Sequence, residues 1–362
     1  MQKQKVLVAM SGGVDSSVAA WLLKQQGYDC IGVTMKLYGN ETLGSSHGST
    51  CCSLADVEDA RSVAFRIGIP YYVFNFAADF EREVIQRFAA GYERGDTPNP
   101  CIDCNRYLKF ARLFHRAQEL GCDFIATGHY AQVCRAGDGG LYQLKTASDA
   151  AKDQSYVLYP LTQQQLAHTL LPLGALSKPQ VRQIAAAQGF LNAHKRDSQD
   201  ICFVPDGDYA AFLERYRGAP YPPGAFVDAA GRVLGQHRGF VRYTRGQRRG
   251  LGISADAPLY VTGKNPAANT VTLGPQDALL TRSFAVGDIN WIAGQWPKEP
   301  FRAQVCTRYH AAHSPALILP GETGFTVVPD EPLRAATPGQ AAVFYRQEVV
   351  LGGGVIRLGI TR

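Results

Sequence analysis

K-V-L-V-A-M-S-G-G-V-D-S-S-V-A-A-W-L-L, Lys5 to Leu23, changes character twice in nineteen residues. The apolar run Lys5–Met10 has the β-branched texture of a buried strand. It breaks at Ser11-Gly12-Gly13, and apolar residues at helical spacing then run over Ser16–Gln26 and stop at Gly27. A strand passing to a helix through paired glycines brings bare backbone N–H groups and the positive end of a helix dipole to one point. An anion fits there, at the carboxyl end of a strand in an open α/β sheet. Ser16 and Ser17 add hydroxyls. No lysine follows the glycines, so this is a phosphate cradle of another kind than a Walker A loop. Helix capping accounts for the serines but not for Asp15.

The pattern repeats outward from that turn. Cys30–Lys36, Tyr71–Phe76 and Asp123–Thr127 read as strands, and Leu54–Ile67, Ala78–Tyr92 and Arg106–Leu120 as helices. Strands separated by helices of this length predict a parallel sheet with right-handed crossovers and helices on both faces. Past about residue 205 the texture becomes Pro/Gly turns and short alternating runs: Phe226–Val227, Leu259–Thr262, Thr270–Leu273, Arg302–Val305, Gly324–Val328 and Ala341–Tyr345. The expectation is an α/β domain over 1–205, a small β-rich linking domain over 206–280 and a β-barrel over 281–362. Gly39–Thr50 is the mobile loop expected near the site.

The chain of 362 residues, 46% of them hydrophobic, suffices for several cored domains. It has no run of 18 apolar residues, and its first strand begins too early for a secretory leader, which predicts a cytoplasmic protein with no membrane partner. Nine cysteines in such a chain read as buried, catalytic or metal-binding thiols rather than as a disulfide scaffold. The net charge is +6, and no acidic residue lies between Asp228 and Asp256, where Arg232, Arg238, Arg242, Arg245, Arg248 and Arg249 fall. Such a segment suits a polyanion, RNA in particular.

Two cysteine motifs carry the chemistry. T-P-N-P-C-I-D-C-N, Thr97 to Asn105, approaches a helix through two prolines, and Cys104 is expected at its N-terminus beside Arg106 and Lys109, where positive potential favours a thiolate. D-S-Q-D-I-C-F, Asp197 to Phe203, sets Cys202 after a polar turn. Cys101 and Cys104 also have the spacing of half a zinc or iron–sulfur site, but no second close Cys/His pair accompanies them. T-G-H-Y (Thr127–Tyr130) follows the fourth strand to the same sheet edge, and K-D-Q (Lys152–Gln154) offers a cation, an anion and an amide in a row.

Taken with G-Q-R-R-G-L-G, R-Y-H, P-G-Q-A-A-V-F-Y and L-G-G-G later in the chain, these motifs resemble the tRNA-specific 2-thiouridylase family of PP-loop ATP pyrophosphatases. The resemblance spans nearly the whole chain and implies a tRNA-uridine 2-sulfurtransferase. ATP, with Mg²⁺, would activate the C2 oxygen of wobble uridine 34 as an adenylate, and Cys202 would carry a persulfide received from a sulfur-relay or cysteine desulfurase protein. Cys104 would be the nucleophile that releases the sulfur, leaving 2-thiouridine and a Cys104–Cys202 disulfide. The implied ATP pocket is Ala9, Met10, Ser11, Gly12, Gly13, Val14, Asp15, Ser16, Met35 and Gly128, with Asp15 toward Mg²⁺. Asn99, Pro100 and Cys101 would face the target base. His129, Lys152, Asp153, Gln154, Arg308, Tyr309 and Gln340 would contact tRNA, the family pointing to tRNAs for Lys, Glu and Gln. Many members lack a cysteine at the position of Cys101. Its presence keeps open a [4Fe–4S] cluster on Cys101, Cys104 and Cys202, which would deliver sulfur to the same product. A different PP-loop synthetase or amidotransferase would need neither Cys104 nor Cys202, and a non-catalytic RNA-binding protein would release no pyrophosphate.

Overall fold

The computed structural model describes residues 3–38, 54–137, 139–197 and 201–357. The expected mobile loop Gly39–Thr50, together with Cys51, Cys52 and residues 198–200 of the second cysteine motif, lies outside the described residues. The strands Lys5–Ala9 (β1), Asp29–Lys36 (β2), Tyr71–Asn75 (β3) and Phe124–Ala126 (β4) join Thr169–Leu170 in one parallel sheet. Its order is β3–β2–β1–β4 and then 169–170. The chain moves outward from β1 to β3 and returns to place β4 on the other side of β1. β1 and β4 therefore flank the switch point, where open α/β sheets form their crevice.

Side chains alternate across β1, so both faces of the sheet need cover. Val6 and Val8 pack with Val14, Val18, Ala60, Val63 and Val181. Those residues bring the helices Val14–Gln25 (α1), Leu54–Ile67 and Lys178–Ala187 to one face. Leu7 and Ile125 pack with Phe80, Phe88, Leu108 and Leu113, from the helical segments 77–93 and 100–119 on the other face. Val6, Leu7 and Val8 are all 0% exposed. Each such burial contributes about 1.5–3 kcal/mol, which makes β1 the spine that fixes the following loop. The doubly covered parallel sheet is the one that the strand and helix spacing predicts.

Gly224–Val227, Val233–His237, Tyr260–Asn265 and Thr270–Gly274 form a separate four-stranded sheet. The last six long strands, from Phe284–Trp291 to Val349–Arg357, pair antiparallel, and the first pairs with the last, which closes a barrel. The hairpin Gln132–Arg135/Tyr142–Lys145 leaves the α/β part and adds to the barrel sheet at Val349 and Val350. Among the described residues no helix is long and apolar enough to cross a membrane.

Two expectations change. The helix that carries the first cysteine motif starts at Pro100, six residues before Arg106, because Asn99 caps it: its Oδ1 accepts the Cys101 N–H at 3.1 Å and proline takes the first turn. Cys101 is therefore the exposed first-turn thiol, and Cys104 lies a turn further in, buried at 8% exposure. The dipole argument made for Cys104 applies to Cys101. Arg106 lies 5.9 Å from the rings of Tyr107 and Tyr159. Segments 81–85 and 104–112 of these helices are π-helical, a widened turn common near functional sites.

Candidate active site

The loop after β1 is held from several sides. Gly13 is the N-cap of α1 and leaves the first-turn N–H groups to a ligand. Ser16 Oγ accepts the Ser11 N–H at 3.1 Å and donates to Gly13 O at 3.1 Å. Ser17 Oγ donates to the same carbonyl at 3.0 Å. From the far side, Asn192 Nδ2 donates to Gly12 O at 3.0 Å and Ser17 Oγ at 2.9 Å. Gly12 has φ +74°, and a Cβ there would stand 2.7 Å from Asp56 Cα, so only glycine fits. A Cβ on Gly128 would stand 2.7 Å from Ser16 N, so the loop after β4 presses directly on the start of α1.

These two loops wall a cleft of about 720 Å³ at the switch point, a volume in the usual range for small-molecule sites. Nine of the ten residues expected to hold the nucleotide line it: Ala9, Met10, Ser11, Gly13, Val14, Asp15, Ser16, Met35 and Gly128. Gly12 lies within the loop they form. Val33 and Leu37 extend the apolar wall beside Met35, and Lys109, Lys152, Lys195 and Arg196 bring four cations against Asp15, Asp56 and Asp197. His129, Lys152, Gln154 and Tyr309, expected at tRNA, line this same cleft.

Their environments differ. His129 is 8% exposed, with Nδ1 2.7 Å from Thr127 Oγ1. Burial first, and then the charge of Lys109, hold its imidazole well below the ordinary value, so it is neutral at neutral pH. Gln154 Oε1 accepts the Tyr130 N–H at 2.9 Å. Asp153 accepts from Ala147 N at 2.8 Å and from Ser155 Oγ at 2.6 Å, so its oxygens brace the turn. Arg308 is exposed beside half-buried Tyr309. Burial raises the Tyr309 phenol to about 12, against a hydrogen bond with Gln154, and the nearby Asp153 and Cys101 push in the same direction.

Gln340 does different work. Its Nε2 donates to Thr97 O at 2.6 Å, while Thr97 N donates to Pro338 O at 2.8 Å. This barrel loop thus clamps the turn that leads to Asn99, buried Pro100 and Cys101. Cys202 packs against the large core that contains Cys104, and Tyr38 donates to Cys202 O at 2.9 Å. The adjoining Phe203 meets Phe80 and Phe88 at ring distances of 5.6 and 5.3 Å. Both cysteines therefore belong to the same face of the sheet.

Among the described residues the side chains offer neither a three-ligand site nor an unengaged Asp15 carboxylate. Among the described residues no three His, Cys, Asp or Glu side chains gather as metal ligands, so Cys101, Cys104 and Cys202 do not form a cluster site here. Asp15 is already engaged: both its oxygens are 2.8 Å from Lys178 Nζ, and Oδ1 accepts from Tyr130 Oη at 2.7 Å. Tyr130 closes the T-G-H-Y motif read from the sequence, whereas nothing in the sequence points to Lys178, Asn192 or Lys195. The partners Lys178 and Asp15 are 163 residues apart, and no local pattern joins them.

The arginine-rich segment divides in two. Arg242 donates to Glu214 at 2.7 Å, Arg245 reaches the carbonyls of Thr262 and Ala278, and Arg232 pairs with Asp228 at 2.6 Å. Arg238, Arg248 and Arg249 are exposed, as is Arg232 despite its surface pair with Asp228. The basic surface offered to a polyanion is smaller than the sequence suggests.

Three domain families match in order. They are a tRNA methyl transferase HUP domain over residues 4–206, a tRNA methyl transferase PRC-barrel domain over 210–275 and an aminomethyltransferase β-barrel domain over 281–356. A tRNA-specific 2-thiouridylase of Clostridioides difficile is 48% identical, over 98% of this chain and 98% of that protein. One from Carboxydothermus hydrogenoformans is 50% identical over the same shares, and one from Geobacter metallireducens is 48% identical over 99% and 98%. With full-length likeness at that level, and with a glycine-paired loop at the switch point of its sheet, this chain belongs to the tRNA-specific 2-thiouridylase family.

Proposed function

We propose that this chain, a tRNA-uridine 2-sulfurtransferase by family, uses the cleft to bind ATP and to activate the wobble uridine of tRNA. The α1 N-terminus and Ser11–Val14 take the phosphates, and Met35, Val33 and Leu37 cover the adenine. Attack of the uridine C2 oxygen on the α-phosphate expels pyrophosphate and leaves an adenylate, turning a poor leaving oxygen into AMP. Cys202, charged with a persulfide by a sulfur-relay or cysteine desulfurase protein, supplies the sulfur. The Cys104 thiolate attacks the Cys202 sulfur of that persulfide and frees hydrosulfide. The hydrosulfide adds at C2 and AMP departs. The products are 2-thiouridine, AMP and a Cys104–Cys202 disulfide, which two electrons must reduce before the next cycle. The tRNAs would be those for Lys, Glu and Gln, in the cytoplasm, gripped through Lys152, Arg308 and Tyr309.

One arrangement carries this reading: a glycine-paired loop at the switch point of the sheet opens into a cleft lined also by Tyr309, and Cys104 and Cys202 share the core on one face of that sheet. The domain descriptions speak of methyl transfer, which uses neither thiol, so cysteine dependence separates the two chemistries. The test is mass spectrometry of tRNA incubated with ATP, Mg²⁺ and a persulfide donor. The intact protein is expected to add one sulfur in place of oxygen, and Cys104→Ser and Cys202→Ser to add none while still releasing pyrophosphate. A methylated product, or full thiolation by both serine variants, would sink the assignment.

A further inference from the structure

Asp15, the acid of the phosphate loop, faces an ammonium. Lys178 is 7% exposed, at the start of the Lys178–Ala187 helix, and its Nζ sits 2.8 Å from both Asp15 oxygens and 2.7 Å from Asp197 Oδ1. Asp197 is in turn bonded to Lys152 at 2.8 Å and to Arg182 at 3.0 Å. Although burial opposes it, contact with Lys152 and Lys178 holds the Asp197 carboxyl below its ordinary range. The backbone N–H of Lys178 donates to Asp149 Oδ2 at 3.0 Å, which pins the helix start to the turn that precedes Lys152. Two carboxylates and three cations thus form a bridge of net charge +1, opening into the cleft through Lys152.

A metal ion on Asp15 would conflict with this bridge. Mg²⁺ binds carboxylate oxygen at about 2.1 Å and would come within about 4.9 Å of the ammonium already there. We propose that Lys178 is a positioning residue for the nucleotide chemistry, holding Asp15 as the anchor of an ammonium bridge to Asp197 rather than as a ligand of Mg²⁺. The bridge locks the start of α1 to the segment that leads toward Cys202, and any Mg²⁺ rides on the phosphate oxygens of the nucleotide. The inference rests on the reading of the cleft as an ATP site.

The experiment measures tRNA-dependent pyrophosphate release in the full-length protein across a Mg²⁺ series, with ATP affinity followed separately by calorimetry. Asp15→Asn keeps the shape and one acceptor. It is expected to slow release about tenfold, as loss of a part-buried ion pair does, while half-saturating Mg²⁺ moves less than about twofold. Lys178→Met is expected to lose a similar factor, Lys178→Arg to recover to within about threefold of the parent, and the double variant to be no worse than the poorer single one. A rise of about tenfold in the Mg²⁺ requirement of Asp15→Asn would make Asp15 a metal ligand and overturn the proposal. Additive losses, or an indifferent Lys178→Met, would overturn it as well. If Lys178→Met melts early, Asp15→Asn and Lys178→Arg still decide. A parent protein that binds no ATP would instead remove the ATP reading, and calorimetry separates that failure from this one.

Discussion

Gly12→Ala isolates what the phosphate loop requires of its backbone. The residue sits at φ +74°, which costs alanine about 1–2 kcal/mol. The new methyl would also overlap the Asp56 carbonyl oxygen and stand 2.7 Å from Asp56 Cα, whereas ordinary contact begins at 3.4 Å, so main chain must move by about 0.7 Å or more. Overpacking of that kind adds about 1–3 kcal/mol. The strain does not stay local, because Asp56 is bonded at 2.6 Å to Lys195, which lines the cleft. A displacement approaching 1 Å at a positioned site costs about a hundredfold in rate.

Gly27→Ala is the control. It has φ +90° but nothing within 4 Å of its Cβ, so it bears the conformational cost without the contact. Thermal unfolding and ATP-dependent pyrophosphate release would be measured on both. Gly12→Ala is expected to melt about 5–15 °C lower and to lose about a hundredfold in rate. Gly27→Ala is expected to lose only about 2–8 °C, at the parental rate. Equal destabilisation by the two alanines, with pyrophosphate release intact in Gly12→Ala, would falsify the close-contact argument.

Arg248→Glu with Arg249→Glu is expected to weaken tRNA binding and to lower the slope of log affinity against log salt by about one per lost phosphate contact, with ATP binding unchanged. A parallel salt series would remove the patch; Arg245→Glu is a poor probe, since that guanidinium is spent on carbonyls and should mainly unfold the linking sheet. His129 has a folded pKa depressed by burial, so below about pH 6.5 the unfolded chain binds the extra proton and stability falls as pH falls. His129→Gln should flatten the melting temperature between about pH 5 and pH 7, and an unchanged acid slope would assign it to other groups. Gln340→Ala removes a barrel contact to Thr97 and is expected to cost thiolation about three- to tenfold while pyrophosphate release by the ATP site stays within about twofold, since one hydrogen bond is worth about 0.5–1.5 kcal/mol. Equal losses in both steps would mean that the clamp acts on the whole fold.

What the sequence makes legible here is whatever is local. Strand β1, its glycine turn and the Leu54–Ile67 helix follow from periodicity and turn chemistry, and the structure agrees to within a residue or two. The start at Pro100 was written in Asn99-Pro100, a cap followed by a first-turn proline, but the polar run to Asn105 hides it. Val349–Arg357 was harder, because Gly352, Gly353 and Gly354 imitate a turn. They are glycines for another reason: a Cβ at Gly352 would lie 2.5 Å from Asn290 O, and one at Gly353 would lie 2.8 Å from the Tyr159 ring. Crowding from distant chain made them necessary, and no window of sequence records that. The same holds for Asp15 and Lys178. The helix start at Ser177-Lys178-Pro179 is readable, but the destination of the ammonium is a tertiary fact.

These glycines also bear on how three domains make one site. Tyr159 belongs to the α/β part, and Asn290 Nδ2, from the first barrel strand, donates to Tyr159 O at 2.7 Å and Leu161 O at 2.9 Å, so with Gly353 against the Tyr159 ring the first and last barrel strands both lie flush on the sheet domain. From that seating the 335–340 loop reaches Thr97, and a Cβ on Gly339 would stand 2.8 Å from Thr97 N. The linking sheet arrives at the same turn, with half-buried Lys264 beside Asp96 and Tyr92 and lowered by desolvation to about 8. Segment 96–101 is thus held by all three domains at once. On the proposed reading, a turn fixed this way would cost little further entropy when a base docked against Cys101. The barrel and linker would then act on the chemistry through the rigidity of that turn, even where they touched no substrate.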